Sequence, residues 1–327
     1  MKQFSDFPRI SLGLLPTPLY RLPNISKMLG KNVYVKRDDM TGVALGGNKV
    51  RKLEFLIADA MEQGCDYMLT TGGAQSNHAM LTAACCSRLG LGCILVLQKR
   101  GVWQKLGNQI INSLLGVDVR FVDTDDFDEV YGEMERICDD LRAKGHNPCL
   151  VPMGGSVPRG SLGYVNAARE AIEQAKDMGV VFDDIVCCTG SGGTHAGMDL
   201  GARIYSPSTR VTGIAVSDTQ FEPIVADLVN GASELLESDV KVTADDINIH
   251  KCFGAGYAIP SAAGVAAVEL MARQEGIILD PVYTGKTFAG LLQLAEQGYF
   301  EGRENILFLH SGGAGGLFAI DMEHTEG

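Results

Sequence analysis

From residue 67 onward the apolar positions fall into short unbroken runs, separated by longer stretches with an apolar residue every three or four places. Tyr67-Met68-Leu69, Cys93-Ile94-Leu95-Val96-Leu97 and residues 117–122 read as strands, and 76–89, 106–115 and 127–143 as the helices that follow them. Strands that alternate with helices imply a parallel sheet with helical covers. A second series runs through a helix at 164–178, the strand Asp184-Ile185-Val186-Cys187-Cys188, a helix at 195–202 and a strand at 211–216. Helices at 220–236, 262–275 and 286–297 follow, then Ile306-Leu307-Phe308-Leu309 as a final strand. Between the two series, 148–163 is rich in proline and glycine and is the best candidate for a crossing between lobes. Ahead of the first series, Pro16-Thr17-Pro18-Leu19 reads as extended and a short helix ends at Gly30. Val33-Tyr34-Val35 is then a strand that runs into Lys36-Arg37-Asp38-Asp39. The expected class is α/β, with open, mostly parallel sheets.

One further helix carries the first candidate chemistry. In Gly46-Gly47-Asn48-Lys49 the residues Val50, Leu53, Leu56, Ile57, Ala60 and Met61 form an apolar stripe, Asn48 suits an N-cap, and Lys49 falls in the first turn. A cation there is disfavoured by the helix dipole and by neighbouring Arg51 and Lys52, and a lysine of lowered pKa can form a Schiff base or act as a base. The two glycines would let a flat ligand approach the backbone. The plainer alternative is a basic first turn on a solvated helix.

Composition narrows the function. The chain has 327 residues, 46% of them hydrophobic, enough for a substantial core in one large or two ordinary domains. A net charge of -12 without a long basic run argues against nucleic-acid or anionic-membrane partners and favours small-molecule work. No apolar run reaches the roughly 18 residues of a spanning helix, and 1–20 lacks a signal-peptide pattern, so a cytoplasmic protein is expected. The nine cysteines lack metal-ligand spacing and read as reduced core residues, and no metal site is expected.

In parallel α/β sheets the ligands lie beyond the carboxyl ends of the strands, so the loops there should carry the chemistry. Thr189-Gly190-Ser191-Gly192-Gly193-Thr194 follows a buried strand and opens a helix, a cup for one phosphate. It lacks the ending of a nucleotide P-loop and the acidic partner of a dinucleotide fingerprint, and a tight strand-to-helix turn is the alternative. Gln75-Ser76-Asn77-His78 suits a carboxylate or second anion, unless Ser76 or Asn77 merely caps the helix. Asp280-Pro281-Val282-Tyr283-Thr284-Gly285-Lys286, His310-Ser311-Gly312-Gly313 and the looser Gly256-Tyr257-Ala258 complete the set, though each tyrosine alone could be packing. A poised lysine, a mono-phosphate cup, a carboxylate cradle and a strand ending in a hydroxyl together describe a pyridoxal phosphate site.

With those motifs, the chain over nearly its whole length resembles the family of 1-aminocyclopropane-1-carboxylate deaminase and D-cysteine desulfhydrase, of fold type II among pyridoxal phosphate enzymes. The resemblance implies a large cofactor-binding domain at 1–50 and 156–327, a small domain at 51–155, and an active site in the cleft between them. It implies that Lys49 holds pyridoxal 5'-phosphate covalently and acts as the catalytic base. Lys52 with Gly190, Ser191, Gly192, Gly193 and Thr194 would hold the phosphate, and Asn77 would also touch the cofactor. Ser311 would meet the pyridine nitrogen. Ser76 and Asn77 would grip the substrate carboxylate, with His78 and Thr284 among the substrate contacts, and Tyr257 and Tyr283 would flank the substrate. His78 and His195 belong to the motifs and also suit purely structural roles. A homodimer is usual in the family.

The resemblance also bears on the reaction. Deaminases of the family carry a glutamate after the tyrosine of the Asp280 loop and a leucine before the glycine pair of the last loop, where this chain has Thr284 and Ser311. That leans toward the desulfhydrase branch, whereas Met80 stands where desulfhydrase-like members often have arginine. The expected activity is α,β-elimination from a small amino acid, D-cysteine first. L-Cysteate sulfo-lyase, ring-opening deaminase, D-serine lyase and 2,3-diaminopropionate lyase are alternatives, and a non-catalytic small-molecule sensor is the alternative outside enzymes.

Overall fold

The computed structural model describes residues 1–99 and 103–322. In chain order come β1 (Leu19–Arg21), α1 (Pro23–Leu29), β2 (Asn32–Arg37), α2 (Lys49–Glu62), β3 (Tyr67–Gly73), α3 (Asn77–Leu89), β4 (Gly92–Gln98), α4 (Asn108–Leu114), β5 (Asp118–Val122), α5 (Phe127–Ala143) and β6 (Pro148–Val151). After these lie α6 (Pro158–Asp177), β7 (Asp184–Thr189), α7 (Gly193–Tyr205), β8 (Arg210–Ala215), α8 (Phe221–Leu236), β9 (Ile249–Lys251), α9 (Ala262–Glu275), α10 (Thr284–Glu296), β10 (Asn305–His310) and α11 (Ala314–Leu317).

Two sheets result, as the alternation of runs implies. One has six strands in the order β1-β2-β10-β7-β8-β9, parallel except for the antiparallel edge pair β1 and β2. The other has four parallel strands in the order β5-β4-β3-β6. β7 is buried along its whole length and β10 nearly so, because helices cover both faces of the larger sheet. Phe288 of α10 packs on Phe308 of β10 with ring centroids 5.3 Å apart, within the core on one face.

Three short strands, β1, β6 and β9, are absent from the sequence reading because runs of three or four residues carry too little alternation to register. The expected crossing at 148–163 contains β6, and α6 begins at Pro158 rather than at 164. Proline at the first helical position leaves no donor unpaired, so the helix starts on it instead of after it.

The expectation that all nine cysteines are reduced fails at one pair. Cys65 and Cys149 form a disulfide with their Cα atoms 5.9 Å apart, while the other seven are free thiols. Spacing along the chain could not show this. Cys149 lies on β6, whose parallel pairing with β3 brings it beside Met68 and hence near Cys65.

Candidate active site

The carboxyl ends of β3, β7 and β10 and the start of α2 converge on one cavity of about 280 Å³. Lys49, Ser76, Asn77, His78, Gly190, Ser191, Gly192, Thr194, Tyr257, Tyr283 and Ser311 all line it. Residues far apart in sequence are thus brought together as the loop argument requires.

α2 is positioned by a buried charge network. Arg51, one-hundredth exposed, gives two hydrogen bonds to Asp38 (Nε to Oδ2 2.8 Å, Nη2 to Oδ1 2.9 Å) and two to Glu170 (3.0 and 2.8 Å). Tyr164 and Thr17 donate to the same Asp38 carboxylate at 2.6 and 2.7 Å, and Lys36 donates to Glu170. The guanidinium charge is therefore neutralised locally and does not burden Lys49 as the sequence suggested. Asn48 also departs from expectation. Its backbone is already helical (φ -58°, ψ -25°), so its side chain cannot cap α2 and instead donates to Thr194 Oγ1 at 3.0 Å.

Burial is the first cause of the depressed Lys49 amine, at about 8, with the Cys188 thiol and a hydrogen bond with Lys52 opposing it. Roughly a tenth of this amine is therefore neutral at pH 7, far more than for an ordinary lysine. Lys52 is fully buried and also held well below its ordinary range, by burial first and by Lys49 second.

Lys52 Nζ donates to Gly154 O at 3.1 Å and to Ser156 Oγ at 3.2 Å. Ser156 Oγ also accepts from Gly193 N at 3.2 Å and lies 2.8 Å from Ser191 Oγ. A lysine amine, two hydroxyls and the first amide of α7 thus face one another. A Cβ on Gly193 would stand 2.8 Å from both Lys52 Nζ and Ser156 Oγ and fill the cup. Among the described residues no carboxylate pairs with Lys49 or Lys52. This donor set fits an anion of phosphate size at a helix N-terminus, beside a lysine that can reach an aldehyde carbon.

The second cradle is less open than expected. Ser76 caps α3, its Oγ accepting from Ala79 N at 3.2 Å, and Asn77 Oδ1 accepts from Asn108 at 2.8 Å, although both side chains still line the cavity. The Thr70 hydroxyl donates to Val151 O at 2.7 Å, so it accepts from His78 Nε2 at 3.0 Å. His78 Nδ1 has no hydrogen-bond partner among the described residues, and burial followed by the two lysines, against a smaller opposing pull from the Pro152 main chain, keeps the ring neutral. His195 does not line the cavity. It bonds Thr189 Oγ1 at 3.0 Å and is pushed down to about 3 by burial, which makes it structural.

Tyr283 sits at the head of α10, and its hydroxyl lies 2.5 Å from that of Tyr257. Burial, then Tyr257, raises the Tyr283 phenol well above its ordinary range, so it stays protonated and can serve as a donor. Thr284 does not reach the cavity. Its hydroxyl donates to buried Asp280 at 2.7 Å, and Asp280 also accepts from the amides of Val282, Tyr283 and Thr284, completing the N-terminal cap of α10. Gly46 and Gly47 likewise serve packing rather than a ligand. A Cβ on Gly46 would overlap Asp39 O, one on Gly312 would lie 2.7 Å from Gly47 Cα, and Asn48 N donates to Ser311 O at 2.9 Å.

Sequence reading missed Ser156, Gly154, Cys188, Gln98, Phe127 and Asp218, of which all but Ser156 line the cavity. Cys188 and Gln98 had a usable signal, being near or at the carboxyl ends of recognised strands.

Residues 10–312 match the family model described as pyridoxal-phosphate dependent enzyme. A D-cysteine desulfhydrase of Klebsiella pneumoniae is 39% identical over 98% of this chain and 98% of its own. A provisionally named 1-aminocyclopropane-1-carboxylate deaminase of Pyrococcus abyssi is 40% identical over 98% and 96%. The crystal structure of a homologue of the latter enzyme superposes with a TM-score of 0.89 at 40% identity, covering 96% of this chain and 94% of that one. A threonine deaminase structure at 18% identity and TM-score 0.65, covering 91% and 92%, shares the fold. The chain belongs to the pyridoxal-phosphate dependent enzymes, and within them it is a lyase of the group that holds these deaminases and desulfhydrases.

Proposed function

We propose that this lyase carries out α,β-elimination on D-cysteine, yielding pyruvate, ammonia and sulfide with consumption of one water. A cytoplasmic homodimer is part of the same reading, as is the division into a large domain at 1–50 and 156–327 and a small one at 51–155. The observation that carries the choice of reaction is the Tyr283 phenol, held protonated in the cavity that contains Lys49, with Thr284 folded back onto Asp280 beside it. A protonated phenol can give its proton to a departing heteroatom. A carboxylate one position later, as in the deaminases that the chain resembles, is absent.

Pyridoxal phosphate, when bound, supplies the electron sink that makes the Cα–H bond acidic. Lys49 would hold the cofactor, and its amine would take the Cα proton of the substrate. Its depressed pKa suits that role, since a base titrating near the working pH combines availability with driving force. Lys52, Ser156, Ser191 and the amide of Gly193, which face one another, would hold the phosphate with its charge at the N-terminus of α7. Ser311, which lines the cavity, would meet the ring nitrogen with a hydroxyl rather than a carboxylate, a weaker sink that suits β-elimination over transamination. Ser76 and Asn77 fix the substrate carboxylate, with His78 behind them, so that only one enantiomer points its Cα hydrogen at Lys49.

Sulfide from D-cysteine, sulfite from L-cysteate and 2-oxobutyrate from the cyclopropane substrate, assayed side by side, test the reading. D-Cysteine is expected to have the highest kcat/KM and to lead L-cysteine clearly. Faster release of sulfite or 2-oxobutyrate would overturn the substrate while leaving the lyase in place.

A further inference from the structure

Lys286 lies one turn into α10 and is fully buried, yet among the described residues no carboxylate forms an ion pair with it. Its Nζ donates instead to two backbone carbonyls, Phe253 O at 2.7 Å and Gly256 O at 2.7 Å. These belong to an irregular loop with left-handed backbone at Gly254 (φ 63°) and Ala258 (φ 61°). Among the described residues no main-chain hydrogen bond ties 253–260 to a neighbouring element. Tyr257 follows directly on the second of the clamped carbonyls. Its ring meets that of Tyr283 edge to face, centroids 6.0 Å apart, and the two hydroxyls are hydrogen-bonded. Tyr283 in turn occupies the N-cap position of the helix that carries Lys286.

A buried amine without an ion-paired carboxylate is disfavoured in its charged form, and burial accordingly lowers this lysine's pKa. Packing alone would be met better by methionine or leucine. What only a long cationic donor supplies here is a clamp on two carbonyls that face the same point. We propose that Lys286 is a positioning residue, holding the 253–256 backbone so that the Tyr257 hydroxyl stays against that of Tyr283 in the active-site cavity. One helical turn then fixes both members of the phenol pair, Tyr283 through its own backbone and Tyr257 through the lysine. The catalytic consequence rests on the role proposed above for Tyr283; the positioning itself does not.

The test is a cycle of Lys286→Met, Tyr257→Phe and the double variant, assayed as holoenzyme on whichever small amino acid the wild type turns over fastest, together with tyrosine ζ-carbon NMR titration. Each single variant is expected to lower kcat on the order of 10-fold, and the double variant to lose no more than about twofold beyond Tyr257→Phe, because both remove the same contact. The Tyr283 signal, which burial and then Tyr257 should hold above the usual tyrosine range in the wild type, should move down toward that range in Lys286→Met. Losses that multiply, or an unmoved Tyr283 titration, would make Lys286 a mere packing residue and overturn the proposal. If Lys286→Met does not fold, Lys286→Gln, whose uncharged NH2 sits on a shorter arm than the lysine ammonium, goes through the same cycle with the same criteria. A wrong substrate assignment would alter which amino acid is consumed and leave the NMR result intact, so the two failures are distinguishable.

Discussion

Replacing Lys49 with methionine should stabilise the cofactor-free protein while abolishing turnover. Lowering an amine from 10.5 to about 8 disfavours its charged form in the folded state by about 3 kcal/mol, at ~1.36 kcal/mol per pH unit. Part of the side chain faces the cavity, where water offsets some of this, so about 1–3 kcal/mol is the expected gain. Methionine nearly matches the volume, and Lys52 is relieved of a neighbouring charge as well. Below about 8 the amine is charged in both folded and unfolded chains, and the full penalty is present. Between about 8 and 10.5 the unfolded chain binds the extra proton, so wild-type stability climbs with pH; above 10.5 the penalty is gone. Thermal unfolding of dialysed wild type and Lys49→Met at pH 7, 8.5 and 10 should therefore show a Tm gain of several degrees at pH 7 that shrinks steadily. A gain independent of pH, or a loss at pH 7, would refute the claim that burial strains this amine. The same variant should be colourless after dialysis.

Arg51→Met leaves Asp38 buried without its cation and should lower stability by about 3–5 kcal/mol, read from the denaturation midpoint, with part recovered in the double variant Arg51→Met, Asp38→Asn. Burial opposes the Asp38 charge, but Arg51 outweighs it and holds the carboxyl below 3.8, so wild-type stability from this group should be full above about pH 4 and fall as the pH drops further. Lys52→Ala and Gly193→Ala should both weaken cofactor retention in equilibrium dialysis, the second by filling the cup, with Lys52→Ala keeping most of its turnover at saturating cofactor. Reducing Cys65–Cys149, which closes a separation of 84 residues, should lower stability by about 4 kcal/mol on chain entropy, seen as a drop in Tm with dithiothreitol that Cys149→Ser does not show.

The larger features were legible because they have a strong period. Buried parallel strands are continuous apolar runs, and the helices between them repeat every three or four residues, so both sheets followed from β3, β4, β7 and β10. The lysine at the head of α2 was legible too, but for a partly mistaken reason: Arg51, read as a repelling neighbour, is discharged by Asp38 and Glu170 from other elements. Side-chain direction in loops was not legible. Thr284 has the composition of a ligand contact, yet the need to cap α10 turns it onto Asp280. Ser76 does cap α3, the plainer of its two readings, while still facing the cavity. Ser156 escaped because a serine in a proline- and glycine-rich crossing carries no local mark; only the packing of that segment against the start of α7 gives it a role.

The seam where Gly47 meets Gly312 has a consequence for inheritance. Lys49 and Ser311 take their spacing from two stretches of main chain that touch directly, with the Asn48 amide bonded to the Ser311 carbonyl. No side chain lies between them to be exchanged for a larger or smaller one. Residues from opposite ends of the gene therefore behave as a single locus: an alanine at Gly312 would put its Cβ 2.7 Å from Gly47 Cα and displace that main chain, and no exchange of side chains at Gly47 can restore the gap. Variants selected for new substrates should accumulate in the side-chain wall around Gln98, Phe127 and Asp218, and leave this contact as it stands.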